Sequence, residues 1–371
     1  MNVASPSEYL KRGHAVQFNP RRLSTFSSWR AWVVKMYDGN LLEMTGCGLY
    51  CRAGDFYIDP WRPVKRAVIT HCHSDHARWG MDSYLVAKVG ERVLTSRLGD
   101  RIHRQTLEYG ESLSVNGLKL SLHPAGHILG SAQVRIEQRG EVCVVSGDYK
   151  VDPDPTCAAF EPLTCHTFIT ESTFGLPIFK WRPQRDLFED INTWWRRNQE
   201  HGRTSIIYAY ALGKAQRLIA GLDCSIGPIF THGAVEKFNY SYRESGVDLP
   251  PTRHVGEVEH KQEFAGALVI APPSADGTGW VRKFMQPAKA FASGWMQIRG
   301  NRRRRAVDRG FALSDHSDWT GLLETIQATG AATIWVTHGY AAELARWLQE
   351  KGLDAREVTT QFSGERDDGE E

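Results

Sequence analysis

The sequence predicts an α/β protein, and three observations carry that expectation. Short apolar runs broken by turn residues fill most of residues 40 to 172. Helical spacing enters at residues 183 to 201, with Pro183 near its start and Gly202 just beyond its end. From there strand-like and helical stretches alternate nearly to the end of the chain, as in a sheet covered by crossover helices.

In chain order, "LLEMTGCGLYC", "FYID", "RAVIT", "YLVA", "KLSLH", "AQVRIE", "VCVVS" and "TFIT" read as strands, which makes the first part β-rich. "PQRDLFEDINTWWRRNQEH" reads as a helix, "TSIIYAYA" as a strand and "KAQRLIAGL" as a second helix. Further βα units run through "GPIFTHGAVEKF" and "ALVIAPP" to a strand "FAL" at 311 to 313. Two last helices, Trp319 to about Ala328 and about Tyr340 to Lys351, flank the strand "ATIWVT", with Gly330 and Gly352 as terminators. The tail "GERDDGEE" has the composition of a disordered segment, and no internal repeat is seen.

A chain of 371 residues suits two domains, or one large domain with an insertion. With 45 Lys and Arg against 43 Asp and Glu the net charge is +2, so an argument for nucleic acid must rest on local clusters. The 12 Trp and 41% hydrophobic content indicate a folded protein, and no apolar stretch nears the ~20 residues of a membrane span. Seven cysteines without a CxxC pair point to reduced thiols and a cytoplasmic protein. Near the start, Arg21-Arg22 precedes a stretch interrupted by Arg30 and Lys35, which lacks the apolar core of a signal. That segment is expected to be an N-terminal extension.

The chemistry begins at "VITHCHSDHARWG", where His71, His73, Asp75 and His76 crowd one loop behind an apolar run. Neutral imidazoles and a carboxylate each supply a lone pair, and a short loop can aim them at cations. Two cations need ligands from further loops. His127 in "HPAGHILGSA", Asp148 in "SGDYK", His316 in "SDHSDW" and His338 in "THGY" each stand just beyond a strand-like run, and Glu171 follows "TFIT". If one packed assembly brings these strand ends to one edge, the ligands converge there. Taken singly, each is as readily a satisfied core histidine or a turn carboxylate. His123, His166, His232, His254 and His260 have no comparable setting, and Cys72 reads as a bystander.

The motifs "THCHSDH", "GHILGSA", "SGD", the acidic residue of "TEST", "SDHSD" and "THG" stand in an order that resembles metallo-β-lactamase-fold nucleases carrying a β-CASP insertion. That group includes the DNA cross-link repair nucleases, ribonuclease J and the messenger-RNA 3′-end endonuclease. The resemblance covers about residues 40 to 360, and "GLYCRAGDFYIDPWRPVKRAVITHCHSDHARWG" looks most like the bacterial DNA-ligase-associated exonucleases. It implies a metallo-β-lactamase αββα sandwich with an inserted α/β β-CASP cap domain. The implied limits are 1–38 for the extension, 39–173 and 310–360 for the two parts of the metallo-β-lactamase domain, 174–309 for the β-CASP domain and 361–371 for the tail. It implies one metal on His71, His73 and His127, a second on Asp75, His76 and His338, and Asp148 between them. Asp59 of "YIDP" matches an acidic position that braces the histidine loop.

Two divalent ions ~3.5–4 Å apart polarise a phosphoryl group, so the expected reaction is phosphodiester hydrolysis by a metal-activated hydroxide. Asp75 orients the hydroxide, and His316, held by Glu171, protonates the leaving oxygen. A His and Asp set without thiolates suits Zn²⁺ and Mn²⁺ alike. For the nucleic acid, Arg299, Arg302, Arg303, Arg304 and Arg305 offer a basic groove, Lys214 a phosphate contact at a helix start, and Ser293 a part of a terminal-phosphate pocket. The resemblance implies DNA as substrate, 5′ to 3′ exonuclease action in repair and association with an ATP-dependent DNA ligase. His338 stands where DNA-specific members of the group tend to have valine, which keeps a ribonuclease J-type enzyme as the alternative. A small-ester hydrolase and a binding module with an inert metal site are the further readings.

Overall fold

The computed structural model describes residues 41–298, 300 and 307–361. The expected extension 1–38, residues 362–371 of the expected tail, and Arg299, Arg302, Arg303, Arg304 and Arg305 lie outside the described residues.

A first, six-stranded sheet contains β1 (Glu43–Thr45), β2 (Gly48–Cys51), β3 (Phe56–Ile58), β4 (Arg66–Val68), β5 (Ser83–Ala87) and β6 (Arg104–Leu107) in that order, with helix α1 (Glu91–Leu98) between the last two. Its first three strands are antiparallel and the rest parallel. Helix α1 falls in a segment whose sequence reads as β-rich. "ERVLTSRL" spans only two turns, so buried Val93, Leu94 and Leu98 repeat too briefly for a helical period to show.

The second sheet opens as an antiparallel meander of β7 (Ser112–Val115), β8 (Leu118–Pro124), β9 (Ala132–Gln138) and β10 (Glu141–Val145), and β11 (Thr167–Glu171) then joins β10 in parallel. Helix α2 (Gln184–Glu200) turns Leu187, Ile191 and Trp195 inward and leads away into a third sheet. There β12 (Ser205–Tyr208), α3 (Lys214–Gly221), β13 (Ile229–Thr231), α4 (Gly233–Glu244), β14 (Arg253–His254), β15 (Leu268–Ala271), β16 (Ala288–Ala292) and β17 (Arg309–Phe311) follow. All its pairings are parallel, in the order β14-β13-β15-β12-β16-β17, and strands such as "SIIY" and "LVIA" are buried on both faces. Strand β17 runs across the 309/310 boundary expected from sequence. The chain then returns to the second sheet through α5 (Trp319–Thr329), β18 (Thr333–Thr337), α6 (Ala341–Glu350) and β19 (Asp354–Glu357). The last strand, "DARE", buries one residue in four and carries no readable apolar pattern.

Leu49, Ile58 and Val68 of the first sheet pack against Leu120, Val134, Ile169 and Trp335 of the second. Helices α5 and α6 cover the outer face of the second sheet. On the outer face of the first, Ile69, Val86 and Leu94 share one apolar core with Ile191, Trp195, Leu218 and Val235 from around the third sheet. The architecture is a metallo-β-lactamase αββα sandwich carrying an inserted α/β β-CASP cap, and the cap is seated through a hydrophobic interface. No helix of the described residues is long and apolar enough to cross a membrane, and all seven cysteines are free thiols.

Candidate metal centre

Strands β8, β10, β11 and β18 run in one direction, because the two antiparallel steps through β9 cancel and the remaining pairings are parallel. The loops that leave their ends therefore emerge at one edge, where they meet the His71–His76 loop that follows β4 of the facing sheet. Gly147 makes the approach close: at φ +57°, a Cβ there would lie 2.6 Å from the Thr70 Cβ. Only glycine lets Asp148 come up to the histidine loop in this way.

His71 Nε2, His73 Nδ1 and His127 Nε2 converge, with His73 Nδ1 3.1 Å from the first and 3.2 Å from the last. Asp148 Oδ2 stands 3.5 Å from His71 Nε2. Each ring is turned by a contact at its other nitrogen: Thr70 Oγ1 lies 3.2 Å from His71 Nδ1, His73 Nε2 donates to the Leu212 carbonyl at 3.1 Å, and His127 Nδ1 donates to the Asp315 carbonyl at 2.9 Å. Burial first, and neighbouring histidines second, hold His71 well below the usual imidazole range and push His73 and His127 down to about 4. Three neutral imidazoles thus aim lone pairs at one another, which is unfavourable unless a cation lies between them. Nitrogens at ~2.0–2.1 Å around a tetrahedral ion sit about 3.3 Å apart, close to the spacing seen.

Beside this trio, His76 Nε2 lies 3.5 Å from Asp148 Oδ2 and 3.6 Å from Asp75 Oδ2, and His338 Nδ1 lies 3.7 Å from Asp148 Oδ1. Asp148 is common to both groups, and it also lies within ligand range of a third set with Glu171 and His316. Asp59 accepts from His76 Nδ1 at 2.7 Å and from the Thr70 backbone N–H at 2.8 Å, so it braces the loop and points the other His76 nitrogen at the carboxylates. His338 sits in left-handed backbone at φ +55°, and its carbonyl accepts the Ser172 hydroxyl. Burial would lower the His76 pKa, but Asp75, Asp148 and Asp59 outweigh it and lift the ring to about 10. A site this negative draws a proton where a divalent ion would serve the same charge balance. Buried His76 Nε2 and Asp148 Oδ1 find no hydrogen-bond partner among the described residues, so the donor set fits a pair of cations.

His316 lies against the trio, its ring centroid 4.7 Å from that of His127. Both Glu171 oxygens are 2.9 Å from His316 Nδ1, and Glu171 also accepts the Tyr149 N–H at 2.8 Å. One carboxylate thus orients the ring and is itself held by backbone. The sequence-predicted residues His71, His73, Asp75, His76, His127, Asp148, Glu171, His316, His338 and Asp59 all come together at this edge.

Two residues expected at nucleic acid are placed elsewhere. Lys214 is 1% exposed, with Nζ 3.5 Å from Asp315 Oδ2. Ser293 is 2% exposed, and its hydroxyl accepts the Trp295 N–H at the start of a short helical turn. Neither side chain reaches solvent in this arrangement. Sequence reasoning did not find Leu212, whose part is played by a backbone carbonyl. The cationic "ALGKAQR" stretch reads in sequence as Arg and Lys for phosphates, whereas Lys214 and Arg217 are both buried.

No family model matches the chain. It is 30% identical over 311 residues to a probable DNA ligase of Opitutus terrae, a match covering 83% of this chain and 30% of that protein. It is 28% identical over 174 residues to the endoribonuclease YSH1 of Kluyveromyces lactis, covering 43% of this chain and 22% of that protein. It is also 28% identical over 185 residues to the cleavage and polyadenylation specificity factor 73 of Drosophila melanogaster, covering 45% and 27%. The chain thus spans less than a third of the length of these relatives. Among solved structures, a protein of unknown function from Enterococcus faecalis superposes with a TM-score of 0.55 over 81% of this chain and 80% of that one, at 10% identity, which is a likeness of fold. Two of these relatives are thus named for RNA processing, one of them as an endoribonuclease, and each matches less than half of this chain.

Proposed function

We propose that the chain is a two-metal phosphodiesterase that degrades DNA from a 5′ end in repair. The observation that carries this reading is the pair of donor groups sharing Asp148, with the His316–Glu171 dyad alongside. His71, His73 and His127 would hold one ion, Asp75, His76 and His338 the other, and Asp148 both. Bound divalent ions, Zn²⁺ or Mn²⁺, supply Lewis acidity toward a phosphoryl oxygen and a water that is acidic at neutral pH. The Asp75 carboxylate orients that water. His316, with Nδ1 engaged on Glu171, carries on Nε2 the proton that the leaving oxygen takes.

The probable DNA ligase supports DNA as substrate. Most of this chain matches less than a third of that protein, and the remainder leaves room for a ligase joined to a part like this one. Functional association with an ATP-dependent ligase in the cytoplasm follows from that reading. Hydrolysis of RNA is the second reading, favoured by the relative named endoribonuclease YSH1 and by histidine at position 338. Labelled single-stranded DNA and RNA of one sequence, each with 5′-phosphate or 5′-hydroxyl and tested with Mn²⁺ and Zn²⁺, separate them. Mononucleotides released from the 5′ end of DNA are expected. Cleavage of RNA alone would establish the second reading, and turnover of neither polymer beside hydrolysis of a lactone or thioester would end both.

A further inference from the structure

We propose that the cap segment Leu212–Arg217 is a structural part of the first metal half-site, with Arg217 and Lys214 as positioning residues that set His127 through Asp315. The inference rests on the two-ion reading above. His73 is turned by the Leu212 carbonyl, and His127 by the Asp315 carbonyl. The Asp315 carboxylate is ion-paired in turn from the cap: Oδ2 lies 3.5 Å from Lys214 Nζ and Oδ1 3.5 Å from Arg217 Nη1. Arg217 also donates to the Ser314 carbonyl, and its Nε lies 3.4 Å from Asp154 Oδ2.

The side chains of all four charged groups are at most 3% exposed. A buried set of ion pairs adds little stability over apolar packing of the same shape. What it does supply is direction. The planar guanidinium meets the loop that carries both Asp315 and His316 through Nη1 and Asp154 through Nε, a span that a single ammonium nitrogen does not cover. The cap presses the His127 loop at two further points. Gly213, at φ +89°, would place a Cβ 2.3 Å from Ile128 Cγ2, and the Leu129 N–H donates to Tyr242 Oη at 3.1 Å. The inserted domain is therefore more than a lid over the centre.

The test uses the full chain, with metal stoichiometry and a chelator-competition titration of each ion, and urea unfolding in parallel. Wild type is expected to bind two ions. Lys214→Met, Arg217→Lys and Asp315→Asn are each expected to weaken one ion by about 10–100-fold and to leave the other unchanged. Arg217→Lys keeps the charge and loses the span from Asp154 to the Asp315 loop, so its effect is expected to be smaller than that of Arg217→Met. The double variant Lys214→Met/Asp315→Asn removes a cation and an anion together, and its effect is expected to equal that of either single change. Should a single variant fail to fold, this charge-neutral double decides. Unchanged affinity for both ions, or an equal loss at both, overturns the proposal while the two-ion reading stands. A wild-type chain that binds no metal removes that reading itself, and the proposal with it.

Discussion

The two halves of the centre are braced from different sides. Around His71, His73 and His127, two of the three rings are turned by carbonyls of Leu212 and Asp315, which belong to or are ion-paired with the cap. Around Asp75, His76 and His338, the braces are Asp59 and Ser172 of the sandwich itself. The first half is enclosed by the cap. The second opens on a cavity walled by Met44, Leu49, Ile58 and Trp61. One half is therefore set by how the two units pack, and the other by local hydrogen bonds within a single unit. A perturbation of the cap should reach the first half only.

The strongest way to break that distinction is to remove what the halves share. Asp148→Asn is expected to lose both ions and to lower activity by more than the ~10²–10⁴-fold that a general acid contributes; metal analysis beside the nuclease assay checks it. His316→Ala should lower kcat by about 10²–10⁴-fold with both ions retained. Loss of one ion in that variant would make His316 a ligand and remove its role as proton donor.

Next in size is Asp59→Ala, expected to weaken the ion at His76 by about 10–100-fold and to spare the other. Chelator competition reads this as the mirror image of the Arg217 and Lys214 variants. If both sets of variants weaken the same ion, the two halves are not independently braced. Gly213→Ala forces a side chain into left-handed backbone and onto Ile128, at a cost of ~1–3 kcal/mol visible in the urea midpoint. Its metal loss should fall on the first half. The smallest effect is expected for Cys72→Ala. Burial pushes the Cys72 thiol up to about 12, and the side chain packs in the core shared with the cap. Both ions and the turnover rate should be retained, with a stability loss of about 1 kcal/mol.

Legibility followed the period of the pattern. Helix α2 and the strands of the third sheet stand out in sequence because their apolar spacing persists or their burial is two-sided. Helix α1 and β19 do not, being a two-turn helix and a strand with one buried residue. The metal-capable residues were legible because their type is rare at strand ends and the HxHxDH loop concentrates them. Asp59 and Glu171 were legible as their braces, but the braces from the cap side were not. Leu212 and Asp315 act through carbonyls, which every residue has, and Lys214 carries a charge that a sequence cannot assign to interior or surface.

By itself the sequence determined the supply of lone pairs and the order in which strands deliver them, since residue type and period are local properties. Which imidazole nitrogen faces the cluster is not local. It depends on a carbonyl 139 residues away for His73 and 188 residues away for His127. Only the packing of the inserted sheet against the sandwich brings those carbonyls into reach, because hydrogen bonds act over about 3 Å while the chain between their partners carries no record of the approach.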